Sequence, residues 1–497
     1  MNPNDSVLIV GAGIFGLSTA LHLARRGYSV TVFDKQPYDE SKYSYFKGAD
    51  AASADMNKIV RSAYGTQTEY QELSVEAIKA WHEWNEELAS GKTVPPGMSR
   101  EDRVFVPNGC FSMVSSKELP PWEVACIEGM EKAGHHDTQL ATTNPRHREI
   151  ATSRGLSAYM DPFQQEHKER PLVGVLDTTG GMALADKACR FALHKARSLG
   201  ARFIFGDSEG RLESLIYEGS KVTGIRTRDG QVHHASMTIL ACGGWTPVLL
   251  PELDGLCEAT AGSVVIMKIP RQSTLWDRLS PQKFPTFMFN MRTAGYGGLY
   301  GFPRTEEGYF KIGYRGTKYT NPVRHEDGIE RSTPVTRWSP AERNGLVAIG
   351  EPFTDFSQAA YHVIQAFLTE YLPELRQEGI PVFKTRLCWY TDTFDNHFVI
   401  DRVPGKEGLM VATGGSGHAF KYLPNFGNWV VDIMDNVDMG RTAVKAWKWR
   451  ALENQKPINE LMRGSESPNV LRNLPLYKDS DLHSLVYSPN NTNKAKI

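Results

Sequence analysis

Val7-Leu8-Ile9-Val10-Gly11-Ala12-Gly13-Ile14-Phe15-Gly16 is a four-residue apolar run that enters three glycines. An apolar stretch of Leu17 to Arg26 follows, with Leu17, Ala20, Leu21 and Ala24 on one helical face, and Gly27 closes it as a C-cap. Val30-Thr31-Val32-Phe33 then reads as a second buried strand with Asp34 at its carboxyl end, which completes a βαβ unit. In such a unit the first glycine permits the tight turn, the second admits a pyrophosphate, and the third lets helix and strand pack closely. The helix presents its positive end to the phosphates. Asp34 comes 18 residues after Gly16, where a carboxylate accepts from both ribose hydroxyls and repels a 2′-phosphate. The expected dinucleotide site is therefore Gly11, Gly13, Ile14, Phe15 and Gly16 with Asp34 and Lys35, and it favours FAD or NAD over NADP. A plain glycine turn would lack the strand, helix and acid in register.

Working outward, the same grammar recurs. Ala183 to Leu199 is helical and leads into Arg202-Phe203-Ile204-Phe205, and Lys221 to Ile225 and Gln231 to His234 form a hairpin around Asp229-Gly230. The run Thr238 to Pro247 is a strand that enters Gly243-Gly244, and Gly408 to His418 is another that runs into Gly414-Gly415-Ser416-Gly417. The first resembles the second nucleotide-lobe signature of two-lobed flavoproteins, and the second suits backbone N–H contacts with an anionic part of a flavin. Stretches rich in Pro, Tyr, Trp and Phe lie between these pieces. The expected division is a discontinuous FAD-binding domain of residues 1–85, 180–258 and 387–453, with a substrate domain of 86–179 and 259–386. Residues 454–497 form a polar tail, expected to wrap the surface or fray.

A chain of 497 residues exceeds one domain at ~150 residues each. With 40% hydrophobic and 23% charged residues it is expected to fold as a soluble globular protein. Lys plus Arg is 56 and Asp plus Glu is 57, so the formal net charge of −1 gives no global field for nucleic acid or anionic membrane. Six cysteines lie far apart without a CxxC, so neither disulfide framework nor metal site is expected. The apolar stretch Val7 to Ala24 lacks the flanks of a signal peptide. Ala495-Lys496-Ile497 resembles a relaxed peroxisomal address, so the expected location is peroxisomal or cytoplasmic.

The stretch Arg386-Leu387-Cys388-Trp389-Tyr390-Thr391-Asp392-Thr393, then Asn396 to Asp401, then Gly415-Ser416-Gly417-His418-Ala419-Phe420-Lys421-Tyr422, resembles the monomeric sarcosine oxidase and fungal fructosyl amino acid oxidase (amadoriase) family, which also includes saccharopine/pipecolate oxidase-like and alkaloid-tailoring amine oxidases. The resemblance covers most of residues 6 to 450. It implies an α/β, two-lobed FAD-dependent amine oxidase fold, whose inserted α+β substrate domain is built on a mixed or antiparallel sheet. It implies Cys388 as the covalent 8α-S-cysteinyl attachment of FAD, against the ordinary fate of a lone cysteine, inert burial. Lys311, in Phe310-Lys311-Ile312-Gly313-Tyr314, matches the lysine that accelerates reaction with oxygen, whereas alternation alone does not place its side chain inside. Lys421 matches a lysine that pairs with the substrate carboxylate, Lys58 is a second such contact, Tyr300 and His418 are further implied substrate contacts, and Tyr390, two residues after Cys388, lies near the flavin ring. Asn57, Lys58, Gly415, Gly417, His418, Phe420 and Lys421 complete the implied cofactor shell.

Two departures bear on substrate. Arg315 stands where sarcosine oxidases have histidine and amadoriases have an acid, so it is expected to welcome an acid or phenolate. His418 replaces an amadoriase arginine. The implied reaction is oxidation of a secondary or N-alkylated amino acid by hydride transfer to flavin N5, giving an imine or iminium and H2O2 from O2. Demethylation or ring closure of a phenolic N-methyl amino acid and saccharopine or pipecolate oxidation stand beside it. An NAD-dependent dehydrogenase and a non-catalytic flavoprotein are the readings from other classes. A monomer is expected.

Overall fold

Apolar runs covered on both faces make parallel strands, and Val7, Ile9, Val32 and Phe33 are wholly buried. Ser6–Val10 pairs in parallel with Ser29–Asp34 on one side and Met237–Leu240 on the other. Leu409–Thr413 and Arg202–Phe205 extend this sheet, and Val399–Arg402 closes one edge antiparallel, giving six strands. The computed structural model describes residues 5–49, 51–292, 297–335, 341–343, 346–348, 356–450 and 467–477.

The helix expected from Leu17 begins earlier, at Ile14, and runs Ile14–Arg25. Ile14 and Phe15 are buried, so the glycine turn feeds directly into an apolar first turn. This helix packs between Phe426–Met434 and Ala185–Ser198 on one face of the sheet. A second long helix, Thr68–Ala89, buries Tyr70, Leu73, Ala77, Trp81, Trp84 and Leu88, a 3.6-residue stripe. It runs straight across position 85, where a change of domain was expected.

The other large sheet has eight strands in the order Val382–Thr393, Cys257–Lys268, Tyr309–Tyr319, Leu299–Gly301, Thr286–Phe289, Cys110–Val114, Val173–Asp177, Gln139–Ala141. It is mixed, because Thr286–Phe289 pairs in parallel with Cys110–Val114 while its other pairs are antiparallel. The α/β fold with a mixed second sheet is thus present. Val382–Thr393 is one unbroken strand of this sheet, so the expected boundary at 387 falls inside an element. Asn57–Val60 pairs with Gly181–Leu184, which also carries Phe105–Val106.

Part of the polar tail is built into the fold. Val470 and Leu471 are buried, and Leu476–Tyr477 pairs with Phe356–Ser357. Apolar side chains at 470 and 471 outweigh the polar average of that stretch. Ala495-Lys496-Ile497 lies outside the described residues. Among them, no helix is long and apolar enough to cross a membrane.

Candidate active site

Gly11 has φ +106°, and a Cβ there would stand 2.4 Å from Ala241 O, so only glycine fits the turn. Gly16 lies beneath it, where a Cβ would meet Gly11 O at 1.8 Å. The helix starting at Ile14 has no acid in its first turn; Ser53 Oγ accepts from Ile14 N–H at 3.0 Å, and no side chain among the described residues takes the Phe15 and Gly16 N–H groups, which are left for an anion. Asp34 accepts from Ala12 N–H at 2.7 Å and Gln36 N–H at 2.8 Å. Burial raises its pKa, and these two bonds pull it back. A carboxylate offers about four lone-pair sites, so two stay open to ribose hydroxyls. Lys35 Nζ lies 4.2 Å from the centre of the Trp245 ring.

A cleft of ≈ 1190 Å³ runs from this turn between the two large sheets. Gly11, Gly13, Ile14, Phe15, Asp34 and Lys35 line one end. Gly415, Gly417, His418, Phe420 and Lys421 line another wall, facing Lys58, Tyr300, Arg315 and Tyr390. Gly16, Asn57, Lys311 and Cys388 are not on its surface but lie one layer behind it, all fully or nearly fully buried.

That layer holds the first of two charge clusters. Asp55, 4% exposed, faces Lys58 Nζ at 2.7 Å, Lys311 Nζ at 3.0 Å and an Arg386 nitrogen at 3.7 Å. Burial opposes its charge, but the three cations hold the carboxyl far below its usual range. Lys311 also donates to Asn57 O at 2.7 Å, and burial pushes its ammonium down to about 8. Lys58 Nζ stands 3.8 Å from Cys388 Sγ. One carboxylate among three cations leaves positive charge in excess, which suits an anionic cofactor nearby. The Asn57 side-chain nitrogen and oxygen are buried without a partner.

The second cluster has no carboxylate at its centre. Lys421 Nζ donates to Tyr64 OH and, at 2.9 Å, to His418 O. The Arg61 guanidinium lies 4.1 Å from the centre of the Tyr64 ring and donates to Ala63 O at 2.6 Å. Burial lowers Lys421 to about 8. Burial works against a Tyr64 phenolate, yet Lys421 and Arg61 bring the phenol below its ordinary value. Burial and Lys421 drive His418 well below its usual value, so this imidazole is neutral, with Nδ1 3.3 Å from Tyr64 OH. Among the described residues, neither Arg61 nor Lys421 is ion-paired with a carboxylate within 4 Å.

Tyr300 and Tyr390 meet hydroxyl to hydroxyl at 3.5 Å. Tyr300 lies flat on the sheet because position 313 is glycine; a Cβ there would stand 2.2 Å from its ring. Arg315 reaches Gly417 O and Ser416 O, both at 3.5 Å, and so overhangs the glycine loop. Sequence reading did not single out Asp55, Tyr64, Arg61, Trp122, Glu123 or Arg292, all but Asp55 on the cleft wall. Asp55 sits among small residues without periodicity, and only the fold brings its partners to it. Arg61 and Tyr64 follow Lys58 by three and six residues, and their charge and ring are the local signal the sequence offers.

The acid-free helix end, the open lone pairs of Asp34 and the cation excess fit a dinucleotide such as FAD. Similarity to known proteins agrees. The L-saccharopine oxidase of Schizosaccharomyces pombe is 25% identical over 488 residues, covering 96% of this chain and 98% of that protein. Human peroxisomal sarcosine oxidase is 24% identical over 438 residues, covering 86% and 91%. The crystal structure of the Aspergillus fumigatus fructosamine oxidase Amadoriase II is similar at TM-score 0.68 and 26% identity, covering 96% and 98%. That structure in complex with FSA superposes on the same share of the chain. The model of the FAD dependent oxidoreductase family matches residues 6–433, and the chain belongs to that family.

Proposed function

We propose that the protein oxidises secondary or N-alkylated amino acids, with FAD as hydride acceptor and O2 as final oxidant. One observation carries this reading: Arg61 and Lys421 flank Tyr64 without a carboxylate partner among the described residues, in the same cleft that begins at the dinucleotide turn. Two unpaired cations in a buried wall call for an anion, and the α-carboxylate of an amino acid supplies it. Held at the dinucleotide turn, FAD would supply the acceptor for the hydride of the C–H beside the nitrogen and the two-electron donor to O2, so that amine plus O2 gives imine plus H2O2.

The chain's own residues do the rest. Arg61 and Lys421 grip the carboxylate, and the grip fixes the reacting C–H. Lys58 was expected to share it, but its ammonium is bonded to Asp55, so Arg61 takes that role. The cations around the cleft favour the neutral, reactive form of the amine. Tyr300 and Tyr390 stay neutral because burial raises both, and they wall the reacting nitrogen from water. Lys311 stabilises negative charge that develops on O2, in a dry layer where one fixed ammonium counts for much. Cys388 is the tether, with Lys58 at 3.8 Å compensating charge on sulfur as the bond forms.

Peroxide release is the test, with sarcosine, pipecolate, saccharopine, fructosyl-valine and N-methyl-tyrosine offered in turn. Turnover of at least one is expected, and silence with all five would end the reading. Acid denaturation separates the tether from the rest: yellow colour should stay with the wild-type polypeptide and wash from Cys388→Ser. Colour that washes from both removes the covalent bond and leaves the oxidase.

A further inference from the structure

A ribbon of two strands lines the cleft yet belongs to neither large sheet. Pro322–Arg324 pairs antiparallel with Glu330–Ser332, and the two form a sheet of their own. Asn321, Val323 and His325 on its outgoing side and Thr333, Pro334 and Val335 on its return all face the cleft. The ribbon closes onto the second glycine turn: a Cβ at Gly244 would stand 3.2 Å from Pro334 Cγ, so glycine permits the approach. Val323 is 43% exposed and Leu249, beyond that turn, 39%. Both line the cleft, so a ligand filling it takes apolar surface on both out of water.

Two paired strands are marginal on their own in water, so the place of the ribbon depends on what ties it down. Its ends are tied by backbone and ring: Thr320 N–H donates to Asn469 O at 3.1 Å, Leu471 N–H to Thr320 O at 2.9 Å, and Trp389 Nε1–H to Val335 O at 2.6 Å. Its middle is tied by one side chain. Arg331, 6% exposed, donates to the two carboxylate oxygens of Asp254 at 2.7 and 2.6 Å and to Asp327, on the ribbon's own turn, at 2.7 Å. Asp254 follows the short helix Pro251–Leu253, on the segment that carries Gly243 and Gly244. The fork therefore joins ribbon to glycine turn, in the strong two-pronged geometry of guanidinium and carboxylate. Among the described residues no other ion pair makes that connection.

We propose that Arg331 is a positioning residue for the cofactor: through Asp254 it latches the ribbon 321–335 along the cleft as a strap that retains the bound dinucleotide. The strap serves FAD whichever amine is oxidised. Asp254 and Asp327 are both partly exposed and hydrate once the guanidinium is gone, so loss of Arg331 frees the strap and leaves the fold standing.

The test follows FAD itself, in a Cys388→Ser background where no tether can hold it. Entry is read from quenching of flavin fluorescence on mixing with apoprotein, and release from its recovery on dilution. Arg331→Met should release FAD at least about tenfold faster with entry no slower, because a latch acts on departure. Arg331→Lys, which keeps a charge but not the fork, should fall between. Arg278→Met removes the ion pair with Glu374, neither of which lines the cleft, and should match the parent in both rates. Asp254→Asn cuts the same latch from the other side; it should repeat the Arg331→Met result and decides the matter if that variant does not fold. Release unchanged when the latch is cut, or slowed entry beside faster release, overturns the strap, the second because it marks a damaged site and not an unlatched one.

Discussion

The two charge clusters behind and along the cleft are built from the same materials and satisfied in opposite ways. Around Asp55, three cations converge on one buried carboxylate. Around Tyr64, two cations converge on a phenol, and no carboxylate among the described residues answers them. The first is fixed before any ligand arrives, as preorganised electrostatic catalysis requires. The second is left short of an anion, as a binding site requires. Structural charge is paired within the chain, and recognition charge is paired by the ligand.

Removing the internal anion should have the largest effect. Asp55→Asn leaves Lys58, Lys311 and Arg386 without their shared partner, and breaking a buried ion pair from one side costs about 3–5 kcal/mol. Tyr64→Phe, the matching change in the other cluster, removes hydrogen bonds worth about 1 kcal/mol. Thermal unfolding should therefore fall several-fold further for the first variant. Raising pH should narrow the gap, because Lys311 sheds its proton sooner without Asp55. Equal losses would erase the distinction between the clusters.

Next comes the division of labour between the half-reactions. Lys311→Met should slow reoxidation of the reduced protein by about 10²–10³, the usual scale for one preorganised donor. Anaerobic reduction by the amine should change far less. Stopped-flow measurement of both rates decides it, and equal slowing of the two would remove Lys311 from oxygen chemistry.

What the sequence made legible follows from how far each interaction reaches along the chain. The Val7 to Asp34 unit was readable because glycine spacing, apolar runs and the closing acid all lie within one βαβ repeat. The helix start shifted from Leu17 to Ile14 because Ile14 and Phe15 pack inward, which heptad-style counting from Leu17 does not include. Lys311 was named only through resemblance: alternation set it opposite Phe310 and Ile312, but both faces of that strand prove buried. Lys58 and Arg61 carry the same charge three residues apart, and only the position of Asp55 separates a paired cation from an open one. Trp122, Glu123 and Arg292 come from segments distant in sequence, so no local pattern joins them.

The smallest effect is the one that titrates the second cluster alone. Lys421 is held at about 8 by burial, and the Arg61 guanidinium stays charged well above that. Methylthioacetate, with sulfur in place of the amine, keeps its carboxylate and has no nitrogen to titrate. Its affinity should be flat below pH 8 and then decline by up to tenfold per unit as the Lys421 ammonium loses its proton. The sign follows from burial: a lowered lysine is charged below about 8 and neutral above it, so attraction is lost as pH rises. Arg61 retains part of the grip, which sets a floor to the decline. Lys421→Gln should bind weakly at every pH and show no inflection near 8, whereas Lys311→Met should keep the wild-type profile. An inflection that survives Lys421→Gln and vanishes in Lys311→Met would move ligand recognition from the open cluster to the paired one.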